Sequence, residues 1–486
     1  MSTASCAVPL GRPATPALAS RRWLILAIIC AAQFVASVDD TIVNTALPAI
    51  RADLGFGERE LSWVVNAYLL TFGGFLLFGG RCADVLGRRR MFLIGVGAFW
   101  AFSALCGMSE SSEVLVGARG LQGLSAALLS PAALAILMVT FPEGPQRTRA
   151  LGVWAGLMGL GAAVGLAAGG AITETIGWRW VFFMNVPIGA LVLLAAVGLL
   201  PADAPRARRA RLDVPGAVLA TGGLLAIVFS IVGAPDHGWG SGRTVAGLAG
   251  GIVALGLLAW HERRARQPLV PPAVVARRTV VVANVVMLIL AGGMFAMFFF
   301  VTLYMQLVHG WSPLRAGLSG LAFSLGFAAV SGVATRLVER VPPRVMVSAG
   351  GVVAALGLLL MTRLQPDSSY VGVLLPAFLV AAAGMGLAFV PLTAAATGGA
   401  AGRDAGVVSG LLSTCQQIGG AVGIAVLVTV ASHHTAGLVA AGTAEAEALM
   451  AGFHAAFGVD AALLAVAALL APLLGRVEVS GTPAVG

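Results

Sequence analysis

Residues 79–92 read GGRCADVLGRRRMF and place one acid and four arginines in a short turn between two long apolar segments. The apolar segments on either side, near 60–80 and 91–109, are each long enough to cross a bilayer core of about 30 Å. Gly80 and Gly87 suit a tight turn at which two helix backbones come close together. The stretch therefore predicts two membrane-spanning helices joined by a charged turn at the membrane face.

Apolar segments of this kind recur from one end of the chain to the other. The 486 residues are 58% hydrophobic and 10% charged, with a mean hydropathy of +0.94, whereas soluble globular chains carry roughly 25% charged residues. The strands of a membrane barrel would instead show short segments of alternating polarity. The sequence therefore predicts an all-α polytopic membrane protein with fourteen transmembrane helices.

Two linkers rich in proline and arginine, at 201–213 and 261–278, divide the predicted helices into groups of six, two and six. The expected organisation is a cytoplasmic N-terminal tail (1–22), an N-terminal six-helix bundle (23–200), linkers plus two intervening transmembrane helices (201–278), a C-terminal six-helix bundle (279–475) and a cytoplasmic C-terminal tail (476–486).

The net charge of +9 is explained by the positions of the arginines. They cluster before the first predicted helix and after the second, fourth, sixth and eighth, while the opposite turns hold isolated arginines. Because loops rich in positive charge remain in the cytoplasm, both termini are expected to be cytoplasmic. The lipid bilayer, and not a nucleic acid, is the partner that this charge indicates. The use of arginine without lysine favours a high-GC bacterial genome, and hence a bacterial cytoplasmic membrane.

Motifs of enzymes and metal sites are missing from the sequence. The five cysteines are scattered without a CxxC pair, which supports neither a disulfide framework nor a metal site. No P-loop, HExxH helix or nucleophile elbow is present. We therefore expect no enzyme activity, no cofactor and no metal.

Few charged residues lie inside the predicted helices, where a charge costs about 2.5–3.5 kcal/mol on insertion. They are Asp39 and Asp40 in the first helix, Arg119 in the fourth and Asp460 in the last. A carboxylate in a low-dielectric site can exchange protons near neutral pH, so Asp39 is the first candidate for a proton or cation site, with Asp40 as a substitute or partner. The alternative for Asp39 is a structural acid that accepts hydrogen bonds. Asp460 is expected near a helix end, as a solvated or capping acid.

The opening stretch resembles the loop signature of the major facilitator superfamily, roughly G-x-x-x-D-x-x-G-R-[RK]-[RK], between the second and third helices. Four further stretches match in order: VDDTIVNTALPAI (38–50), LSWVVNAYLLT (61–71), ARGLQGLSAALLSPA (118–132) and GWRWVFFMNVPIG (177–189). Together they resemble the fourteen-span drug:proton antiporters of that superfamily over the whole chain. The resemblance implies two pseudo-symmetric six-helix bundles with two intervening helices, in a 6+2+6 arrangement, and alternating access around a cavity at the membrane midplane.

Roles for particular residues follow from the resemblance. It implies a gating role for the turn, through Gly80, Asp84, Gly87, Arg88 and Arg89; the alternative is a turn that only anchors the topology. Asp39 matches the acid of the first-helix motif, and Arg119 with Gln122 matches a fourth-helix motif implicated in proton coupling. Arg119 acting as a purely structural tie is the alternative there. Asp40 occupies a variable position of its motif.

The fifth predicted helix carries a row of glycines that predicts close helix packing. It resembles the antiporter signature G-x-x-x-G-P-x-x-G-G, except that Leu166 stands where the motif has proline, which leaves the direction of transport open. The packing glycines are Gly152, Gly156, Gly161, Gly165, Gly169 and Gly170.

Aromatic, methionine and amide side chains are the candidates for lining a substrate cavity, since the first two adapt to varied apolar shapes and amides avoid lipid. Phenylalanines that face lipid are the alternative. The candidates are Trp63, Asn66, Tyr68, Gln122, Met158, Phe295, Tyr304, Gln306, Gln416 and Gln417.

These features favour a secondary active transporter that exports lipophilic drugs or antibiotics in exchange for protons. The alternatives are a proton-linked carrier of a specific metabolite on the same fold, or a membrane sensor or lipid-handling protein that does not transport. The expected partners are a small lipophilic substrate and protons. A monomer is plausible, and the oligomeric state is left open.

Overall fold

A computed structural model describes residues 16–141, 144–203, 213–265, 274, 276–338, 340–397 and 403–474. The predicted C-terminal tail, most of the N-terminal tail, most of the first linker and half of the second lie outside the described residues, as does the side chain of Met158.

The first half of the chain forms seven helices, of which the short α6 and the following α7 together make one crossing. The helices are α1 (Pro16–Leu54), α2 (Glu58–Leu86), α3 (Arg88–Gly107), α4 (Ser112–Thr140), α5 (Pro145–Thr175), α6 (Trp180–Phe183) and α7 (Asn185–Leu199).

The second half begins with two intervening helices and continues with six more. They are α8 (Val214–His237), α9 (Gly242–Glu262), α10 (Arg278–Leu303), α11 (Pro313–Leu337), α12 (Pro343–Met361), α13 (Leu375–Thr397), α14 (Arg403–Ala440) and α15 (Glu445–Leu470). One turn of π-helix, Tyr304–Val308, extends α10, and another, Tyr370–Leu374, precedes α13.

The described residues contain no β-strand, as the sequence predicts. Twelve stretches among them are long and apolar enough to cross a membrane. The remaining long helices are α5 and α8, and α8 carries a shorter apolar stretch, Val218–Ile231. The chain is therefore an all-α, multi-pass membrane protein, and its helices are compatible with the expected fourteen.

The helices pack as two bundles. Helices α1 and α5, α2 and α4, and α3 and α7 contact one another in the first bundle, and α10 and α14, α11 and α13, and α12 and α15 in the second. The bundles meet where α2 packs against α14 and α5 packs against α11. The intervening pair, α8 and α9, pack on each other, and α8 lies against both α2 and α14.

Glycines allow the closest of these contacts, because helices in lipid associate mainly through close packing. A Cβ atom on Gly123 of α4 would lie 2.3 Å from the carbonyl oxygen of Tyr68 on α2. A Cβ atom on Gly423 of α14 would lie 2.4 Å from the Cα atom of Gly292 on α10. The Gly123 contact lies about one helical turn from Arg119, so it brings that arginine against the backbone of α2.

Candidate functional site

A buried cluster of polar side chains is centred on Asp39 of α1, which is 0% exposed. Its Oδ2 accepts a hydrogen bond from a terminal nitrogen (Nη1) of Arg119 at 2.5 Å. Its Oδ1 accepts hydrogen bonds from Nε2 of Gln122 at 3.0 Å and from Nδ2 of Asn185 at 2.8 Å. Three helices, α1, α4 and α7, therefore meet at one carboxylate.

Arg119 has further partners that compensate for its burial at 1% exposure. Its Nε donates to the carbonyl oxygen of Val64 on α2 at 3.0 Å, and its Nη1 also donates to Oε1 of Gln122 at 2.8 Å. Its guanidinium carbon lies 4.3 Å from the centre of the Tyr68 ring. A buried charge is tolerated only when it is paired and hydrogen-bonded, and these contacts meet that condition.

The sequence reasoning missed Asn185 as a member of this cluster. Asn185 is 1% exposed and donates to both Asp39 and the hydroxyl of Ser103, at 3.0 Å for the latter. The hydroxyl of Ser103 in turn donates to the carbonyl oxygen of Phe182 at 2.9 Å. A signal was available, because Asn185 is an amide within an otherwise apolar part of the stretch 177–189.

Asp40, the next residue on α1, points away from this cluster towards the second bundle. It is half-buried, and its nearest polar neighbours are Tyr68 on α2 and Gln417 on α14. The Tyr68 hydroxyl has no hydrogen-bond partner among the described residues. Gln417 also contacts α2, since a Cβ atom added to Gly73 of α2 would lie 2.9 Å from the Cβ atom of Gln417. Asp40 therefore faces the junction of the two bundles.

The predicted cavity residues do not form one group. Gln122 and Tyr68 belong to the surroundings of Asp39 and Arg119, and Gln417 lies near Asp40. Asn66 is fully buried, and its amide atoms have no hydrogen-bond partner among the described residues. Gln416 is half-buried on α14.

Four other predicted cavity residues contact specific neighbours. The Trp63 ring packs 5.5 Å from that of Phe229, on the intervening helix α8. The hydroxyl of Tyr304 donates to the carbonyl oxygen of Gln365, at 2.6 Å, in the turn between α12 and α13. Two contacts join different helices: Nε2 of Gln306 donates to the carbonyl oxygen of Thr45 at 3.0 Å, and Phe295 packs against Gly420.

An apolar groove lies between α1 and α5 and was not predicted. It has a volume of ≈ 470 Å³. It is lined by Trp23, Leu26, Ala27, Cys30, Ala31, Phe34, Val153, Leu157 and Leu160.

The turn between α2 and α3 is attached to the segment after α7. Gly87 adopts φ 106°, which favours glycine, and a Cβ atom there would overlap the carboxylate of Asp203. The Asp203 carboxylate accepts hydrogen bonds from the backbone nitrogens of Arg89 and Arg90, at 3.0 and 3.2 Å. Asp203 therefore caps the N-terminus of α3, a role that the sequence reasoning missed.

The other predicted gating residues lie around this cap. The carboxylate of Asp84 is 4.0 Å from the guanidinium of Arg88, and both side chains are exposed. A terminal nitrogen of Arg89 donates to the carbonyl oxygen of Val197 on α7 at 2.7 Å. Gly80 lies in ordinary contact distance of Pro131 on α4. The described contacts of this turn thus lie within the first bundle and the segment that follows it.

Only part of the predicted glycine row on α5 is a packing surface. Gly161, Gly165 and Gly169 lie against α1, and Gly170 lies against Pro313 at the start of α11. The expectation was wrong for Gly152 and Gly156, where a Cβ atom would meet nothing within 4 Å.

Leu166, which replaces the motif proline, is buried at the contact of α5 with α11. A Cβ atom on Gly317 would lie 2.1 Å from the Leu166 carbonyl oxygen, and the Leu166 side chain packs on Gly320. The helix continues without interruption to Thr175.

The expectation for Asp460 was also wrong. Helix α15 runs from Glu445 to Leu470, so Asp460 lies in the helix interior and is 1% exposed. Within the described part of the chain, no three His, Cys, Asp or Glu side chains come together in a way that could bind a metal ion.

An all-α chain with this many candidate membrane spans and a buried ion pair between its helices is a multi-pass membrane protein with a polar site inside the membrane. The Major Facilitator Superfamily model matches residues 29–424. The chain therefore belongs to the major facilitator superfamily.

Its similar proteins include antibiotic exporters. The puromycin resistance protein pur8 of Streptomyces alboniger is 40% identical over 437 residues, which cover 89% of this chain and 86% of that protein. The cephamycin export protein CmcT of Amycolatopsis lactamdurans is 41% identical over 418 residues, or 85% of each chain. The tetracenomycin C resistance and export protein of Streptomyces glaucescens is 35% identical over 433 residues, covering 88% of this chain and 79% of that protein.

Solved structures support the fold independently. A bacterial homologue of the human lysosomal transporter Spinster, in an inward-facing and occupied conformation, superposes with a TM-score of 0.68 at 17% identity and covers 97% of this chain and 100% of its own. The POT family transporter PepTSo superposes with a TM-score of 0.68 at 14% identity, covering 95% of this chain and 100% of its own.

Proposed function

We propose that this protein exports a lipophilic antibiotic across a bacterial cytoplasmic membrane in exchange for protons, with both termini in the cytoplasm. The observation that carries the proposal is the buried cluster in which Asp39 accepts hydrogen bonds from Arg119, Gln122 and Asn185. It is the kind of site in which one proton changes the balance of charge inside the membrane.

Protonation of Asp39 removes the negative charge that compensates Arg119. The carboxyl oxygen that takes the proton also loses acceptor capacity towards its donors. Arg119 then remains charged and buried with only carbonyl acceptors, a state that costs several kcal/mol in a low-dielectric site. A rearrangement of α1 against α4 and α7 relieves that cost. Protonation of Asp39 is thereby linked to helix movement.

Asp40 provides a route by which protons reach the cluster. It is adjacent to Asp39 and less buried, and it lies at the junction of the bundles beside Tyr68 and Gln417. An acid in that position exchanges protons with the space between the bundles and changes the field at Asp39 when it does so.

The contact between α5 and α11 supports alternating access. At the Thr175 end of α5 the bundles touch closely, with Gly170 against Pro313 and with Oε2 of Glu174 accepting a hydrogen bond from the Leu314 nitrogen at 3.0 Å. Nearer the middle of α5, a Cβ atom on Gly156 would meet nothing within 4 Å. Alternating access would require this contact to open, with the loss of the packing at Gly170 and of the hydrogen bond to Glu174.

Export of a lipophilic compound is supported by the relatives and by the apolar groove between α1 and α5. The relatives confer resistance to puromycin or export cephamycin and tetracenomycin C. The groove, at ≈ 470 Å³, lies within the size range of drug-binding sites. It shares α1 with Asp39, so a substrate there contacts the helix on which the proton binds.

The test uses inside-out vesicles acidified by respiration, with lumenal pH followed while puromycin, tetracenomycin C, a cephamycin or a lipophilic dye is added. Proton release on adding a compound, lost in both Asp39→Asn and Arg119→Ala, supports antiport and identifies a substrate class. Asp53→Asn is the matched control, because Asp53 is on the same helix and pairs with Arg179 at 2.5 Å but is exposed.

The control should keep the wild-type response. Proton release that persists undiminished in folded Asp39→Asn protein would exclude the cluster as the coupling site. Substrate accumulation in the vesicles without any proton movement would leave an exporter that is not an antiporter.

A further inference from the structure

A second buried acid lies in the other bundle, apart from the Asp39 cluster. Asp460 is 1% exposed, and neither of its carboxyl oxygens has a hydrogen-bond partner among the described residues. It lies on the buried face of α15, in a row with Phe453, Phe457 and Leu464. Asp460 is therefore a carboxyl group in an apolar helix interface.

The side chain points at α10, where a glycine makes room for it. A Cβ atom on Gly293 would lie 2.5 Å from Oδ1 of Asp460 and 3.2 Å from the Leu464 side chain. On the same helix, Phe300 packs its ring 5.5 Å from Phe453 and 6.1 Å from Phe457. The carboxyl group occupies the space that the absent side chain of Gly293 leaves between α10 and α15.

No charged neighbour among the described side chains compensates this acid. Helices α10, α12 and α14 pack against α15. Their titratable residues, with those of α15 itself, are Arg278, Arg344, Arg403, Asp404, Cys415, His433, His434, Glu445, Glu447 and His454. The side chains of Arg403 and Asp404 lie outside the description. None of the others forms a hydrogen bond with the carboxyl group of Asp460.

An ionised carboxylate with neither a counter-charge nor a hydrogen-bond donor is so costly in a low-dielectric interior that the group binds a proton instead. We propose that Asp460 is a second proton-binding site, protonated in this conformation and separate from Asp39 and Arg119. Its part in transport rests on the proton exchange proposed above: Asp460 releases its proton when α10 and α15 separate enough to admit water.

The two bundles place these acids at corresponding contacts. In the first bundle, Asn185 on the last helix, α7, donates a hydrogen bond to Asp39 on the first helix, α1. In the second bundle, the last helix, α15, presents Asp460 to Gly293 on the first helix, α10. One acid is stabilised as an anion by Arg119, and the other is neutral because it has no such partner. A movement of the first helix against the last helix in each bundle would therefore act on two carboxyl groups of opposite preference.

Infrared spectroscopy of the purified protein in lipid tests protonation without reference to transport. The carbonyl stretch of a protonated carboxylic acid is expected at neutral pH and should lose one component in Asp460→Asn. Asp53→Asn, which removes an exposed carboxylate already paired with Arg179, should leave that band unchanged. Gly293→Ala provides a second variant that keeps the acid: the added methyl group displaces the carboxyl, so the component should shift in frequency.

A band unchanged in both Asp460→Asn and Gly293→Ala would overturn the proposal. So would loss of the component when Na⁺ is added at constant pH, because Asp460 would then be a cation site.

The role in transport is measured by counting protons and substrate molecules moved in the same vesicles. The ratio should fall by about one proton per substrate in Asp460→Asn, since one proton-binding group is removed. If wild-type protein moves substrate without protons while Asp460→Asn still loses its infrared component, the antiport proposal fails and the proton site stands. If antiport is present and the ratio is unchanged in Asp460→Asn, Asp460 has no part in coupling.

Discussion

The Asp39 carboxylate and the Arg119 guanidinium, which are 80 residues apart in the chain, lie 2.5 Å apart with side chains 0% and 1% exposed. Asp53 and Arg179 lie at the same distance with side chains 46% and 38% exposed. A surface pair contributes about 0–1 kcal/mol, because water solvates either charge alone. Removing one member of a buried pair costs about 3–5 kcal/mol, because the other charge is left without compensation.

We therefore expect Arg119→Ala to lower the free energy of unfolding by about 3–5 kcal/mol, against at most about 1 kcal/mol for Arg179→Ala. The double variant Asp39→Asn/Arg119→Ala should cost clearly less than the sum of the two single variants, because it leaves no unpaired charge. Unfolding of the purified protein in detergent measures the free energy for Arg119→Ala, Arg179→Ala, Asp39→Asn and the double variant. Additive effects at Asp39 and Arg119 would show that the two charges are not energetically coupled.

Gly170 and Gly156 lie on the same helix in opposite surroundings. A Cβ atom on Gly170 would lie 2.3 Å from the carbonyl oxygen of Pro313, whereas one on Gly156 would meet nothing within 4 Å. Gly170→Ala should therefore destabilise the contact of α5 with α11 by about 1–3 kcal/mol, the usual cost of overpacking.

The measurement is a crosslink between cysteines introduced at Thr175 and Leu314, whose yield should fall in Gly170→Ala and stay at the parental level in Gly156→Ala. Equal yields in the two variants would contradict close packing at Gly170.

Asp203 and Asp84 are two acids at one turn with different contacts. Asp203 accepts hydrogen bonds from two backbone nitrogens at the start of α3, whereas the only ion-pair contact of Asp84 among the described residues is at 4.0 Å. Loss of an N-terminal cap costs about 0.5–2 kcal/mol, so Asp203→Ala should lower stability by that amount and Asp84→Ala by less. Thermal unfolding compares them directly, and a larger loss in Asp84→Ala would contradict the capping role.

The groove between α1 and α5 can be filled without touching the polar cluster. Leu157→Trp adds bulk to the wall of the groove, so export of a lipophilic dye should fall several-fold. The loss in the free energy of unfolding that Arg119→Ala causes should be the same with and without Leu157→Trp. Leu194→Trp is the matched control, because Leu194 is 73% exposed on α7 and does not line the groove. Unchanged export in Leu157→Trp would place the substrate elsewhere.

The residues around 79–92 were enough to predict two helices and the charged turn between them. The hydropathy of a membrane span is a local property of some twenty residues. The turn is also indicated locally, by a glycine at position 87, where the backbone adopts φ 106°. The sequence also indicated Asp39, Arg119 and Gln122, because charges and amides are rare in apolar helices. It could not indicate that Asp203 caps α3, since that contact joins residues more than a hundred positions apart.

The amino-acid sequence by itself determined the all-helical, membrane-spanning class and the few polar side chains that must be accommodated inside it. Only the tertiary structure decided which of these side chains meet. Asp39 acquires Arg119 and Asn185 because α1, α4 and α7 converge, whereas α10 presents Gly293 to Asp460, which has no hydrogen-bond partner among the described residues. Hydropathy predicts which segments lie inside the membrane. The partner of a buried charge depends on which helices pack together, and that packing leaves no periodic pattern in the sequence.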